Sequence, residues 1–295
     1  MAFLKRMDEK EEGKEVKILL TGAGGQLGKA FQELFEKEGI NYCAKKHRDL
    51  DITNLQLLRE AIQGKSFTHI INCAAFNDVD RAEKEWKKAY LVNGIGVRNL
   101  AIVAQEKGIE LMHFSTDYVF DGKKGTPYTI YDLPHPLNRY GESKLLGEKL
   151  LTVTNRWYLI RTSWVFGKGE RNFLRKVLAW SKKQDRLRIA SDEMSAPTYA
   201  KDLAWASYLL LQERAWGIYH ITNTPTSRYQ WAKYFLEKTG WKGRLEPARQ
   251  EEFPLPARRP KFSVLDNFGL RETTGFQMPT WEDATERFVK EEISK

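Results

Sequence analysis

The chain has 295 residues, 41% hydrophobic and 29% charged, which suits one large globular core or a core with a smaller lobe. The formal net charge is +9, but the cations alternate with acids, as in Glu83-Lys84-Glu85 and Lys182-Lys183-Gln184-Asp185-Arg186. That interleaving reads as solvated surface and excludes a nucleic-acid-binding stripe. Two cysteines, no His/Cys cluster at ligand spacing and no apolar run of bilayer length exclude a disulfide framework, a transition-metal site and a membrane span. A reducing cytoplasm is the expected compartment.

Residues 1–15 are too acidic and too poor in apolar side chains for a secretory signal, and they read as a mobile tail. Strand-like and helix-like runs then alternate, the pattern of a parallel sheet with crossover helices. Residues 16–21 predict a buried first strand, 26–38 a helix, 41–44 a second strand and 69–73 a third. Residues 81–106 carry apolar side chains at helical spacing (Ala89, Val92, Val97, Leu100, Val103) and predict one long helix. Residues 110–115 and 157–161 predict the fourth and fifth strands. Beyond Trp164 the rhythm loosens: 173–183 and 199–212 are helical and 217–221 returns as a strand. Four prolines between 246 and 260 exclude regular helix and predict a loop over a pocket. A last helix starts near Thr280, the N-cap ahead of Trp281-Glu282-Asp283. The expected organisation is α/β: a Rossmann-like doubly wound parallel sheet over 16–165 plus about 199–222, with a smaller C-terminal substrate lobe over 166–198 and 223–295.

The first strand runs into Gly22-Ala23-Gly24-Gly25-Gln26-Leu27-Gly28. Gly22 permits the tight turn, Gly25 lets backbone approach a pyrophosphate, and Gly28 lets the following helix pack closely on the sheet. The helix N-terminus, with Gln26 and Leu27, then offers N–H groups to the phosphates. A glycine turn without a ligand is the bland alternative. Position after the first strand of an alternating chain favours NADPH or NADH. At the end of the second strand, where an NAD site usually places an acid, the sequence reads Lys45-Lys46-His47-Arg48. Lys46 and its neighbours suit a 2′-phosphate and so favour NADPH, although a basic surface turn is comparably consistent. Asp51 and Ile52 follow, within reach of an adenine.

Tyr140-Gly141-Glu142-Ser143-Lys144 puts a phenol and an ammonium on one helical face. A free tyrosine titrates near ~10, and a nearby lysine cation lowers that value and makes proton exchange practical. Lys144 also suits a nicotinamide ribose. Such a pair is a common coincidence by itself. Thr116, at the carboxyl end of the fourth strand, adds a hydroxyl where parallel sheets bind ligands.

With these segments in place the chain resembles the extended short-chain dehydrogenases and, within them, the dTDP-4-dehydrorhamnose reductase family, over residues 16–288. Beyond GAGGQLG and YGESK the likeness includes NCAAFNDVDRAE, VNG, STDYVFDG, RTSWVFG, APTYAKDLA, GIYHIT and RRPKFSVLD. The resemblance implies reduction of the C4 ketone of dTDP-4-dehydro-β-L-rhamnose, with Tyr140 as general acid, Lys144 lowering its pKa and Thr116 orienting the ketone. It implies that Ala74, Ala75, Phe76 and Asn77 line the cofactor and that Asn93 maintains the active-site backbone. Asp117 and Trp164 would contact the dTDP-sugar, and Asn172 its nucleotide part, unless Asn172 is an ordinary N-cap. Arg259 and Ser263 read equally as phosphate ligands or as a salt bridge and a cap.

Three positions depart from the family pattern: Phe76-Asn77 in place of His-Thr, Glu193-Met194-Ser195-Ala196-Pro197-Thr198 in place of Gln-x-Gly-x-Pro-Thr, and Ala30 where some members carry a Mg²⁺-binding glutamate. Alanine offers no oxygen ligand, so no metal is expected at Ala30, and a homodimer need not be the metal-bridged one. Two rivals stand beside the reductase: a catalytically silent NADP-binding subunit like the regulatory subunit of methionine adenosyltransferase, and a related nucleotide-sugar epimerase or dehydratase. Retention of Tyr140, Lys144 and Thr116 argues against the first. Tyr118, where a dehydratase needs a second carboxylate, argues against elimination.

Overall fold

A computed structural model describes residues 16–169 and 172–294, so the expected tail over 1–15 lies outside the described residues. Its centre is a six-stranded sheet, all parallel, in the order β2-β1-β3-β4-β5-β10. The strands are β1 (Lys17–Thr21), β2 (Asn41–Lys45), β3 (His69–Asn72), β4 (Glu110–Thr116), β5 (Trp157–Thr162) and β10 (Gly217–His220). Each central strand is a short apolar run, as needed when both faces are covered. One layer packs Phe31 and Phe35 of α1 (Gln26–Glu38) with Leu203, Leu210 and Leu211 of α8 (Ala200–Gln212) against Ile18 and Leu20. The opposite layer packs Leu58 and Ile62 of α2 (Leu55–Ile62) with Val97, Leu100 and Val103 of α5 (Gly96–Lys107) against Leu19, Ile70 and Leu111. The order reverses between β1 and β3, and the crevice there, at the carboxyl ends of the strands, is where doubly wound sheets take ligands.

The segment expected as one long helix is instead α3 (Val79–Lys84), α4 (Trp86–Tyr90), a π turn over Leu91–Ile95 and then α5. The insertion turns Asn93 inward, fully buried. Next comes a 3₁₀ turn at Asp117–Val119, followed by α6 (Arg139–Leu151), which carries the Tyr140 and Lys144 positions.

A separate apolar cluster gathers Phe166, Tyr199, Trp231, Phe235 and Phe288. Around it lie α7 (Phe173–Ser181), α9 (Arg228–Lys238) and α11 (Trp281–Phe288). Its strands come in pairs: β6 (Val165–Phe166) with β9 (Thr198–Tyr199), β8 (Met194–Ser195) with β11 (Thr226–Ser227), and β7 (Arg186–Ala190) with β12 (Arg244–Ala248). Here the proline-based expectation fails at its start. Pro247 sits inside β12, in a two-stranded pair where a residue without an N–H is tolerated at an edge. A short helix α10 (Leu270–Thr274) precedes α11, whose N-cap is Thr280, its hydroxyl accepting from Asp283 N. No helix among the described residues is long and apolar enough to cross a membrane.

Candidate active site

The site grows from the glycine turn. Gly22 adopts φ +67°, and a Cβ there would stand 2.3 Å from Ala74 N, so only glycine lets β1 turn tightly beside the end of β3. A Cβ on Gly28 would lie 2.6 Å from Gly22 O and 2.7 Å from Ala23 Cα. Gly25 caps α1 without a side chain, leaving the first-turn N–H groups facing the crevice. A turn this close-packed, with an uncapped helix start, fits the pyrophosphate of a dinucleotide. Leu27 packs on the core beneath, and Lys46 lies exposed with its stem beside Gly24. Asp51 and Ile52 are less available than the sequence implied. The Asp51 carboxylate accepts from Thr53 N (2.9 Å) and Thr53 Oγ1 (2.8 Å), while the Ile52 side chain is buried in the core.

Asn93 reaches across from the π turn to hold the segment after β3. Its Oδ1 accepts from Phe76 N (2.8 Å), and its Nδ2 donates to Phe76 O (3.0 Å) and Ser143 Oγ (2.9 Å). One side chain thus fixes both the 74–77 stretch and α6. The Arg81 guanidinium lies over the Phe76 ring, and Asn77 is exposed.

The catalytic helix α6 starts at Asn138, whose Oδ1 accepts from Gly141 N (2.8 Å). A Cβ on Gly141 would stand 2.2 Å from Tyr118 O, so this glycine lets the helix start lie directly on the 3₁₀ turn. Tyr140 is thereby set against the end of β4: its ring meets Tyr118 edge-on at 6.0 Å, and its phenol interacts with the Thr116 hydroxyl. Burial pushes Tyr140 up to about 12; Thr116 opposes the shift and Asp117 adds to it. Lys144 lies one turn along α6 from Tyr140. Its Nζ donates to Phe114 O at 2.5 Å and faces His113 Nε2 at 3.5 Å, and burial pushes it down to about 8. Lys144 shares the helix face with Tyr140, and one of its three ammonium donors is taken by the β4 backbone.

Asp117 is buried and accepts from Ser263 Oγ (2.5 Å), Ser195 Oγ (2.9 Å) and Thr116 Oγ1 (3.1 Å). Burial raises it to about 6 despite those three hydroxyls. The carboxylate expected to meet a sugar is therefore also the tie between β4 and the smaller cluster. Ser263 belongs to that tie and is not a free phosphate ligand. Arg259 is likewise engaged, with Asp80 at 2.6 Å. Trp164, held at φ +41°, has one face covered by the Arg228 guanidinium at 4.0 Å, and Arg228 pairs with Glu193 at 2.9 Å. A sugar ring cannot use that face while Arg228 occupies it. Asn172 is an N-cap: its Oδ1 accepts from Arg175 N (2.9 Å), and its Nδ2 donates to Gln26 Oε1 (3.1 Å) and Gly167 O (3.1 Å). Through Gln26 it joins α7 to the glycine turn. Ala30 is buried against the sheet. Arg228 and His113 also belong to the site region but were missed in the sequence, whereas Asn72, Glu193 and Ser195 lay within segments named there without a role of their own. The available signals were STDYVFDG, which starts two residues after His113, and NCAAFNDVDRAE, which opens on Asn72.

The family model described as the RmlD substrate binding domain matches residues 16–294. The spore coat polysaccharide biosynthesis protein SpsK of Bacillus subtilis is 36% identical, the match covering 94% of this chain and 98% of that one. A dTDP-4-dehydrorhamnose reductase of Aggregatibacter actinomycetemcomitans is also 36% identical, over 91% of this chain and 96% of its own. Among solved structures, the dTDP-4-dehydrorhamnose reductase of Bacillus anthracis in complex with NADP superposes with a TM-score of 0.91 at 36% identity, covering 94% of this chain and 100% of that one. With its doubly wound sheet, its glycine turn and Tyr140 set against Thr116, the chain belongs to the dTDP-4-dehydrorhamnose reductase family.

Proposed function

We propose that this protein is an NADPH-dependent oxidoreductase that reduces the C4 ketone of dTDP-4-dehydro-β-L-rhamnose to dTDP-β-L-rhamnose. The observation that carries the reading is the meeting of Tyr140 with Thr116 at the carboxyl end of β4, across the crevice from the glycine turn. When bound, the nicotinamide supplies the hydride. Gly22, Gly25 and Gly28, with the start of α1 at Gln26 and Leu27, hold the pyrophosphate, and Lys46 favours a 2′-phosphate over a free ribose hydroxyl. Thr116 orients the ketone oxygen, and Tyr140 Oη, which burial keeps protonated at neutral pH, holds the proton that this oxygen takes up. Phe76, held by Asn93, walls the cofactor side together with Ala74, Ala75 and Asn77. Trp164, Asp117 and Asn172 border the space for the dTDP-sugar. Lys144 is the second polar group of the catalytic helix and suits the nicotinamide ribose. The same reading assigns residues 16–165 and about 199–222 to a dinucleotide-binding part and 166–198 and 223–295 to a substrate lobe, places the protein in the cytoplasm and allows a homodimer.

The test is NADPH oxidation with dTDP-4-dehydro-β-L-rhamnose, run beside NADH and beside UDP- and GDP-linked keto sugars. Turnover confined to the dTDP sugar and faster with NADPH is expected. Tyr140→Phe should lower kcat by roughly 10²–10⁴-fold with cofactor affinity unchanged. No oxidation with any keto sugar, or a Tyr140→Phe variant that turns over normally, overturns the reading.

A further inference from the structure

Beneath Lys144 lies a buried polar chain that the proposed chemistry does not use. Asn72, at the end of β3, is buried, and so is His113 on β4. The orientation of the Asn72 amide is fixed by its neighbours: Oδ1 accepts from Ala74 N at 3.1 Å and from Thr21 Oγ1 at 2.7 Å. A backbone N–H can only donate, so the atom it meets must be the amide oxygen. Asn72 Nδ2 is then a donor, and it meets His113 Nδ1 at 3.0 Å. His113 Nδ1 must therefore accept. A neutral imidazole whose Nδ1 accepts carries its proton on Nε2. That Nε2–H points at Lys144 Nζ, 3.5 Å away. An ammonium has three donors and no acceptor, whereas a free amine has a lone pair. Facing an N–H, only the amine completes the chain, with Lys144 still donating to Phe114 O.

We infer that Asn72 and His113 form a tautomer lock beneath the active site, in which His113 Nε2–H donates to Lys144 Nζ and favours its free-amine form. His113 is thus a positioning residue: it touches neither cofactor nor sugar and acts by setting the charge of Lys144. The role in turnover rests on the reductase reading, whereas the lock itself does not.

The burial of both groups acts in the direction of the lock. Burial lowers Lys144 to about 8 and holds His113 well below the usual histidine range, so His113 stays neutral. Among the other groups near Lys144, Glu148 and Cys73 act the opposite way, since negative charge on either favours the ammonium. Glu148, one turn along α6, is taken up by Arg161 of β5 at 2.8 Å and by Ser115 of β4. Cys73, after β3, is a thiol that burial pushes up, so it stays uncharged. From α3 and α4, Glu83 accepts from Arg139 N, and Tyr90 donates to Glu142, which also pairs with Arg139 at the outer end of α6. From α5, Arg98 donates to Asn99, and Glu106 pairs with Arg59. The π turn presents Asn93, which is committed to Phe76 and Ser143. The 3₁₀ turn presents Asp117 and Tyr118 on the Tyr140 side.

The first test uses the unaltered protein and no substrate. Nitrogen-15 NMR of labelled histidines should show His113 neutral with the proton on Nε2 from pH 5 to 9. A proton on Nδ1, or an imidazolium in that range, overturns the lock, whatever the protein reduces. The second test is the pH profile of kcat for NADPH-dependent reduction. With the ammonium as the working form beside Tyr140, the rate falls as pH rises through the Lys144 titration. Removing the Nε2–H donor in His113→Leu should move that basic limb upward by about half to one pH unit, the weight of one neutral hydrogen bond. A folded His113→Leu protein with an unmoved limb overturns the proposal. Should no keto sugar be turned over, the reductase reading fails and the NMR result still decides the lock.

Discussion

Strand β4 has an acid at each end, and the fold treats the two in opposite ways. At the N-terminal end, burial alone would raise Glu110, but His69, Tyr158 and Trp216 converge on its Oε2 and bring it down to about 2. Just past the C-terminal end, burial raises Asp117 to about 6, and the three hydroxyls around it only partly offset that. The difference is in the partners. Glu110 has a histidine and two ring N–H or O–H donors from neighbouring strands and their connections. Asp117 is bonded by neutral serines and a threonine, and their dipoles, even with the nearby Arg228 charge, do not balance its burial. The amino end of the sheet is built for stability. The carboxyl end holds a costly group at the crevice where ligands bind, as functional sites often do.

The sharpest way to break this contrast is Glu110→Gln. A carboxylate held this far below its ordinary range contributes about 3 kcal/mol at neutral pH. That contribution is fully present above 4.5 and is lost as pH falls toward 2. Urea titration should therefore place the variant about 3 kcal/mol below the parent at pH 7 and bring the two together near pH 2, with kcat unchanged. Equal midpoints at pH 7 would mean that the amino end is no better built than the other. Next in size is Thr116→Val at the opposite end. Losing the hydroxyl should cost about 10²-fold in kcat. Because Thr116 also accepts from Tyr118 N at 3.2 Å, a stability loss of about 1 kcal/mol should accompany it. A large loss of stability with kcat intact would mark Thr116 as a structural cap only.

The two ends also differ in how much the sequence disclosed. The glycine turn, the five apolar strand runs and the Tyr140/Lys144 spacing are local patterns, written within a few residues, and they appear where the periodicity put them. The π turn at Leu91–Ile95 was not legible, because an extra residue in a helix leaves the apolar spacing on either side intact. It packs directly on α6: a Cβ on Gly147 would stand 2.2 Å from Asn93 O, a contact between residues far apart in the chain. The partners of Asp117, Trp164 and Lys144 were hidden for the same reason. Ser195, Ser263 and Arg228 come from later segments, and Asn72 and His113 come from two different strands. Residue types predicted the chemistry of each group. Which hydrogen bonds those groups had already spent depended on packing.

The last prediction concerns Asp117 and tests the sign of the contrast. Its folded pKa, about 6, lies above the ordinary 3.8, so the folded protein holds this proton more tightly than the unfolded chain. The stability it contributes is fully present below 3.8 and is lost as pH rises through 6, the reverse of Glu110. One such group changes stability by at most about 1.4 kcal/mol per pH unit. Asp117→Asn cannot titrate, yet its amide oxygen can still accept from Ser195 and Ser263. Relative to this variant, the parent should lose thermal stability between pH 4 and pH 6, while below pH 4 the two curves run parallel. Curves that stay parallel throughout would mean that the serine hydroxyls suffice to keep Asp117 ionised. The carboxyl end of β4 would then be as well compensated as the amino end, and the cost assigned to the site would have to reside elsewhere, with the strained Trp164 backbone the next place to look.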